Sequence, residues 1–130
     1  MSNIFKKNVL IVDDSVSIRR EVRLILEKEG YTVREAGSGF GMLNCIDEYG
    51  ILVDIILMDL TLNDEYGFDL ITKIRNVNRF KDIPVVIITQ HSDRENVELA
   101  RMIGVNGYIV KPINPHMLLE RVRNVLKEQE

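Results

Sequence analysis

The sequence alternates between short, unbroken apolar runs and longer segments whose apolar residues recur with helical spacing. The runs occupy residues 9–12, 32–36, 55–58, 84–88 and 108–110. Four of them are apolar throughout, which is typical of strands buried between helices in a parallel sheet. The run at 32–36 contains Arg34 and Glu35, so we expect it to form a strand at an edge.

The segments that follow these runs predict five helices. In each segment, apolar residues three or four positions apart form one stripe suited to burial. Gly30 is suited to end the first helix, a Ser92-x-x-Glu95 capping box opens the fourth, and Asn114 before Pro115 opens the fifth. The stripes consist of Ile18, Val22, Ile25 and Leu26; Leu43, Cys45 and Ile46; Phe68, Ile71 and Ile74; Val97, Ala100 and either Met102 or Ile103; and Leu118, Val122, Val125 and Leu126.

These elements succeed one another as five strand–helix units. Helical crossovers between parallel strands are right-handed, so the pattern predicts a doubly wound α/β fold with five parallel strands and five helices. A length of 130 residues fits a single domain spanning residues 1–130.

The charge balance and the cysteine count exclude several classes of protein. Seventeen Lys and Arg residues against 20 Asp and Glu residues give a net charge of −3, with no bias toward binding nucleic acid. Cys45 is the sole cysteine, which excludes an intrachain disulfide and a cysteine-cluster zinc site. No apolar run approaches the roughly 18 residues of a membrane span, and the N-terminus does not resemble a signal peptide. We therefore expect a cytoplasmic protein with no membrane contact.

Charged and polar residues stand where the predicted strands end: Asp13, Asp14, Asp59, Thr89 and Lys111. Ligands of open α/β sheets bind at the carboxyl ends of the strands, so these side chains should converge on one edge. Three carboxylates about 5 Å apart repel by roughly 3 kcal/mol per pair, more than one lysine offsets. A magnesium ion, which prefers oxygen ligands, would offset it. Taken singly, each residue also has a plainer role as a helix cap, a turn residue or a surface charge.

The same residues resemble the motifs of the receiver domain of two-component response regulators. The resemblance spans about residues 7–126, and its five motif positions occur in the family's order. The matching segments are Val-Leu-Ile-Val-Asp13-Asp14-Ser, Ile-Ile-Leu-Met-Asp59-Leu, Val-Ile-Ile-Thr89 and Gly-Tyr108-Ile-Val-Lys111-Pro112.

This resemblance implies a flavodoxin-like fold with strand order 2-1-3-4-5 and a role in a phosphorelay. Asp59 would accept a phosphoryl group from a sensor histidine kinase or a histidine phosphotransfer protein. Lys111 would pair with Asp59 and then with a phosphoryl oxygen, while the Thr89 hydroxyl would bind another. The Lys111–Pro112 bond would be cis. The domain would catalyse only its own phosphorylation and dephosphorylation, so we do not expect an enzyme.

The resemblance also implies a metal site at the acceptor. Asp14 and Asp59 would bind Mg²⁺ (or Mn²⁺) directly, and Asp13 would bind it through a water. The backbone carbonyl of Thr61 would be a further ligand.

Phosphorylation would draw Thr89 toward the phosphate and let Tyr108 rotate inward. The face formed by the fourth helix, fifth strand and fifth helix would then change for a downstream protein target or for an effector domain omitted from this sequence. A phosphorylation-dependent homodimer is a further arrangement that the resemblance allows.

Three arginines of the first helix, Arg19, Arg20 and Arg23, have two interpretations. The resemblance suggests that they dock the phosphodonor. The alternative is a solvated face on which Arg23 pairs with Glu27.

The chain departs from the family pattern near the acceptor. Asn63 stands where a proline is common, Tyr66 replaces an acidic residue before Gly67, and Gln90 replaces a small residue. Gln90 and Thr61 are therefore candidate modulators of the phosphate lifetime.

Other functions fit the sequence less well. Gly37, Gly39 and Gly41 follow a strand as in a dinucleotide site, but the third glycine comes one position early. The Asp13-Asp14 pair lacks the Asp-x-Asp spacing of a magnesium-dependent phosphatase. The stronger alternative is a degenerate receiver, which would bind proteins independently of phosphorylation.

Overall fold

The computed structural model describes residues 7–49, 52–63 and 65–129 of the chain. Its five helices are α1 (Val16–Glu27), α2 (Gly39–Tyr49), α3 (Gly67–Arg75), α4 (Arg94–Ile103) and α5 (Pro115–Glu128). Its strands are β1 (Asn8–Val12), β2 (Thr32–Ala36), β3 (Ile55–Met58), β4 (Thr61–Leu62), β5 (Glu65–Tyr66), β6 (Val85–Thr89) and β7 (Gly107–Val110).

The main sheet has the order β2-β1-β3-β6-β7, with every neighbouring pair parallel. The predicted order 2-1-3-4-5 is confirmed, since β6 and β7 are the fourth and fifth strands of this sheet. The prediction that residues 32–36 form an edge strand is confirmed as well.

Alternating strand side chains build one hydrophobic core on each face of the sheet. Leu10, Ile56 and Ile87 pack with α2, α3 and α4 on one face. Ile11 and Leu57 pack with α1 and α5 on the other. Burying each such side chain contributes roughly 1.5–3 kcal/mol, so both faces hold the sheet rigid beneath its carboxyl edge.

The predicted helix starts are correct at α5 and wrong by one residue at α4. Asn114 caps α5 through a 3.0 Å bond from the Met117 N–H, and Pro115 is its first residue. The cap of α4 is Asp93 rather than Ser92. Both oxygens of the Asp93 carboxylate accept from Asn96, through its backbone N–H and its side-chain amide, whereas the Ser92 hydroxyl has a single oxygen. 

The structure also shows where α1 ends and which residue belongs to the buried stripe of α4. The last residue of α1 is Glu27, and Gly30 follows in a left-handed conformation at φ +93°. On α4, Ile103 packs against the core, whereas Met102 is 78% exposed.

A two-stranded hairpin, β4–β5, follows Asp59 and was not predicted from the sequence. Its turn contains Asn63 at φ +53°, a left-handed conformation that asparagine tolerates better than most residues. The Gly67 N–H then donates to the Leu60 carbonyl at 2.6 Å. A Cβ at position 67 would lie 2.8 Å from the Asp59 carbonyl oxygen, so this close return of the chain requires glycine.

Candidate functional site

The carboxyl edge of the sheet brings Asp13 and Asp59 side by side. Val12 and Met58 are register partners in β1 and β3, so the residues that follow them are neighbours. Backbone bonds extend the ladder one step further, from the Asp59 N–H to the Val12 carbonyl at 3.1 Å and from the Asp13 N–H to the Ala36 carbonyl at 3.1 Å.

Lys111 joins the two carboxylates from the end of β7. Its Nζ donates to Asp13 Oδ2 and to Asp59 Oδ2, each at 2.9 Å. The Asp13 and Asp59 side chains are only 1% and 9% exposed, and that of Lys111 is 10% exposed. The expected cis bond between Lys111 and Pro112 is present. Two buried negative charges therefore share one buried positive charge.

Burial and pairing shift the pKa values of this cluster. Burial raises the pKa of the Asp13 carboxyl, and the hydrogen bonds from Lys111 and the Ser15 N–H offset this only in part. Burial opposes the charge on Lys111, but its bonds to Asp13 and Asp59 outweigh that cost and raise the pKa of the ammonium. Lys111 is therefore charged throughout the physiological range.

A cavity of about 560 Å³ opens beside these three residues. It brings together most of the residues predicted for the site, and it adds Ser15, Ile18 and Asn63 to them. The full lining is Asp13, Asp14, Ser15, Ile18, Asp59, Thr61, Asn63, Gln90 and Lys111. Thr89 and Tyr108 are not part of this wall.

Asp14 borders the cavity but faces the hairpin. One of its carboxylate oxygens accepts the Asn63 N–H at 3.0 Å. Within the described ranges, no group of three or more His, Cys, Asp and Glu side chains is placed to hold a metal ion. The three predicted carboxylates thus line one cavity, with Asp13 and Asp59 joined by Lys111 and Asp14 bonded separately.

The donor chemistry of the cavity nevertheless fits Mg²⁺. Its lining supplies carboxylate, carbonyl, hydroxyl and amide oxygens, with neither imidazole nor thiol. Mg²⁺ keeps several waters and binds proteins through one or two carboxylates rather than through a complete protein cage. An exposed Asp14 beside a buried Asp59 matches that preference.

The two predicted switch residues both bond to the backbone of His91. The Thr89 hydroxyl is fully buried and accepts the His91 N–H at 3.4 Å. The Tyr108 hydroxyl donates to the His91 carbonyl at 2.7 Å, and its half-buried ring packs against the core. Thr89 directly precedes Gln90 of the cavity wall, and both hydroxyls are bonded to the backbone of His91.

Two of the three α1 arginines, Arg19 and Arg23, form ion pairs, whereas Arg20 is exposed. Arg23 bonds Glu27 at 3.0 Å, as in the solvated-face interpretation, and it also bonds Glu35 at 2.6 Å. Arg19 bonds Glu35 at 2.9 Å and donates to the Asp13 carbonyl at 2.6 Å. The contacts of Arg19 with Glu35 and with the Asp13 carbonyl were not predicted from the sequence because they join separate elements.

The start of α2 argues against a dinucleotide site. The Gly39 N–H donates to the Glu65 carboxylate at 2.8 Å. A carboxylate therefore stands at the helix N-terminus, where a dinucleotide site would place its pyrophosphate. A side chain at position 39 would collide with the same carboxylate and with Leu70.

Comparisons with known proteins agree with this geometry. The family model of the response regulator receiver domain matches residues 9–123. The chemotaxis protein CheY1 of Helicobacter pylori is 37% identical over 119 residues, which cover 91% of this chain and 95% of that protein. The high-resolution structure of the chemotaxis response regulator CheY4 of Vibrio cholerae has a TM-score of 0.85 at 31% identity, covering 92% of this chain and 98% of that one.

A doubly wound sheet whose edge joins two buried aspartates to a lysine is the architecture of a receiver domain, and this chain belongs to the receiver-domain family of response regulators, in its CheY-like form. The same domain also occurs within larger proteins. The sensor kinase/phosphatase CqsS of Vibrio cholerae is 32% identical over 118 residues, which cover 90% of this chain and 17% of that protein.

The family's known role is in phosphorelays, and its members generally bind Mg²⁺ and interact with kinases and downstream targets. None of the helices in the described part of the chain has the length and apolar character needed to span a membrane. The cytoplasmic location and the single domain over residues 1–130 stay predictions.

Proposed function

We propose that Asp59 is the phosphoacceptor of this receiver domain. The observation that carries the proposal is the placement of its carboxylate, which is bonded to Lys111 at 2.9 Å and borders the cavity of about 560 Å³. Its second oxygen, Oδ1, accepts the Thr61 N–H at the long distance of 3.4 Å. The acceptor is thus held by its own charge partner while it borders an opening large enough to admit a phosphoryl group.

The reaction is a direct transfer to the carboxylate. An Asp59 oxygen forms a bond to phosphorus as the bond between phosphorus and the donor's imidazole nitrogen breaks, and the imidazole leaves with that bond's electron pair. Phosphoryl transfer needs in-line positioning and neutralisation of the equatorial oxygens more than covalent chemistry from the protein. The rigid β3 end positions Asp59, and Lys111 supplies one positive charge.

Asp14 and Asp59 would hold Mg²⁺ (or Mn²⁺), with the Thr61 carbonyl as a further ligand and Asp13 bonded through water. When bound, the ion supplies positive charge that offsets the charge on the phosphoryl oxygens. Asp13 remains bonded to Lys111 and keeps the ammonium at the edge of the site.

Thr89 and Tyr108 transmit the modification. The Thr89 hydroxyl would leave the His91 N–H to bind a phosphoryl oxygen, and Tyr108 would then turn inward. The face formed by α4, β7 and α5 would change its affinity for a downstream protein. Going from 1% to 99% of the active state requires roughly 5.5 kcal/mol of differential binding energy.

The donor would be a sensor histidine kinase or a histidine phosphotransfer protein, and the domain would act chemically on its own acceptor alone. Its output would go to a downstream protein target or to an effector domain outside this sequence, and a homodimer formed on phosphorylation is a second route. These partners follow from family membership together with the intact acceptor cluster.

Incubation with acetyl phosphate and Mg²⁺, followed by intact-protein mass spectrometry, tests the proposal. We expect the mass to increase by one phosphoryl group, with no increase in EDTA or in Asp59→Asn. The matched control is Asp47→Asn, an exposed aspartate that pairs with Arg79 away from the site. A wild-type protein that stays unmodified at saturating donor would instead support the degenerate, phosphorylation-independent receiver.

A further inference from the structure

Arg19 connects the acidic edge of the sheet to its neighbouring elements. The side chain belongs to α1 and is only 17% exposed. Its Nη1 donates to the backbone carbonyl of Asp13 at 2.6 Å, and its Nε donates to Glu35 Oε1 at 2.9 Å. Because Glu35 lies in β2, the guanidinium bridges that strand and the segment that leaves β1.

The residues around the Arg19 guanidinium leave room for it and keep its carboxylate partner charged. A Cβ at Gly37 would lie 3.1 Å from Arg19 Nη1, so a larger residue there would crowd the arginine. Arg23 bonds the other Glu35 oxygen at 2.6 Å. Burial opposes the Glu35 charge, but the bonds from Arg23 and Arg19 outweigh it and hold the pKa of this carboxyl below its ordinary value. Glu35 is therefore a charged anchor for Arg19 at neutral pH.

The Asp13 carbonyl belongs to the peptide unit that joins Asp13 to Asp14. A peptide unit is planar, so fixing its oxygen also fixes the direction in which the Asp14 backbone continues. The Asp13 carboxylate is held separately, by Lys111 and by the Ser15 N–H at 2.9 Å. The Arg19 side chain therefore holds the peptide unit that links Asp13 to Asp14.

We propose that Arg19 is a positioning residue for metal binding, because it holds the Asp13–Asp14 peptide so that the Asp14 carboxylate borders the cavity. This inference rests on the proposed function, in which Asp14 is a metal ligand. It also gives Arg19 a role in supporting the Asp13–Asp14 peptide, whereas the sequence resemblance suggested that it docks the phosphodonor.

Because Arg19 is positively charged, a positioning role and a purely electrostatic effect have opposite consequences for Mg²⁺ binding. Removing a positive charge near three carboxylates should, by Coulomb's law alone, strengthen the binding of a divalent cation. Losing a group that orients a ligand weakens it, commonly by about tenfold or more. The two accounts predict opposite signs for Arg19→Ala.

The chain offers a matched control in Arg23. Arg23 bonds the same Glu35 carboxylate and carries the same charge, but its bonds go to Glu35 and Glu27 and none reaches the Asp13 carbonyl. Arg23→Ala should therefore leave the Mg²⁺ affinity unchanged or slightly stronger. Arg19→Lys retains the charge without the planar fork that serves two acceptors at once, so it should weaken binding as well.

The experiment is a titration of each purified variant with MgCl₂ in the absence of phosphodonor. The Kd is taken from the amide shifts of residues 13, 14 and 59 in ¹H–¹⁵N NMR spectra. We expect the Kd of Arg19→Ala to rise about tenfold, with a smaller rise for Arg19→Lys and none for Arg23→Ala. Circular dichroism and urea unfolding establish that each variant is folded.

An Arg19→Ala protein that binds Mg²⁺ as tightly as the wild type, or more tightly, overturns the inference and leaves the proposed function intact. A wild type that binds no Mg²⁺ overturns both. If Arg19→Ala does not fold, the comparison of Arg19→Lys with Arg23→Lys decides instead, and equal Kd values for the two count against Arg19.

Discussion

Replacing Asp59 by asparagine should make the protein more stable while it abolishes phosphorylation. Asp13 and Asp59 are both buried, and each places an oxygen 2.9 Å from the same Lys111 nitrogen. Those two oxygens are therefore at most 5.8 Å apart, twice that distance. At an effective dielectric constant of about 20, charges at this separation repel by roughly 3 kcal/mol.

The substitution removes this repulsion and weakens the hydrogen bond from Lys111 to residue 59. The substitution also removes the attraction between the Asp59 charge and Lys111, which the avoided cost of burying that charge offsets. An asparagine oxygen still accepts from Lys111, and the change from a charged to a neutral acceptor costs about 1 kcal/mol. The free energy of unfolding should rise by about 1–2 kcal/mol. For a domain of this size, that corresponds to an increase in Tm of roughly 3–10 °C.

Urea unfolding at pH 7 with EDTA measures the effect, and exposed Asp47→Asn should change the unfolding free energy by no more than about 0.5 kcal/mol. The pH dependence provides a second check. Because the pKa of Asp13 is raised in the folded state, the folded protein binds its proton more readily than the unfolded chain, and acidification toward that pKa relieves the wild type of the repulsion. The advantage of Asp59→Asn should thus shrink as the pH falls. A less stable Asp59→Asn protein at pH 7 would refute the reasoning.

Three further changes have definite expected outcomes. Gln90→Ala should speed loss of the phosphoryl group, since the long amide lines the cavity and either obstructs water or bonds the phosphate; the decay of phosphoprotein after donor removal measures this, and an unchanged half-life would exclude both roles. Tyr66→Phe should lower the free energy of unfolding by about 0.5–1 kcal/mol because it loses the 2.7 Å bond to Asn96, and an equal loss in the Asn96→Ala background would show that the bond contributes nothing. Glu35→Gln should be less stable than the wild type at neutral pH, and the difference should narrow under acid conditions as the wild-type Glu35, whose pKa is lowered in the folded state, takes up its proton; a gap in urea-unfolding free energy that does not narrow on acidification would contradict this.

The main fold was predictable because each strand of the large sheet is a contiguous sequence pattern. Four runs are apolar on both faces and lie between the two cores. The stripe residues of α5, Leu118, Val122, Val125 and Leu126, are all buried as expected. Since parallel strands end at one edge, the sequence also placed Asp13, Asp59 and Lys111 together, and the structure joins them.

What the sequence did not predict depends on contacts between distant residues. The strands of the β4–β5 hairpin have two residues each, too few to show a period of two. Asp14 turns to the Asn63 N–H, 49 positions away in the chain. Arg19 had the same two interpretations in the sequence as Arg20 and Arg23, and it is the fold that brings Glu35 of β2 to it as a partner.

The single-residue error at α4 has a more local cause. Ser92 and Asp93 are both good helix caps, and the capping-box pattern favoured the serine. The cap lies at Asp93 because the side-chain amide and the backbone N–H of Asn96 both donate to its carboxylate. These two hydrogen bonds form only in the folded turn, so the capping-box pattern does not show them.

Because Thr89 and Tyr108 bond to the backbone of His91, the side chain at position 91 is free to vary. Both bonds use the main chain of His91, which every residue except proline offers in full, and neither uses the imidazole. The side chain at this position can therefore be exchanged during evolution, for instance to suit a new binding partner, without disturbing the resting arrangement of the two hydroxyls. Proline alone is incompatible, since it lacks the N–H that Thr89 accepts.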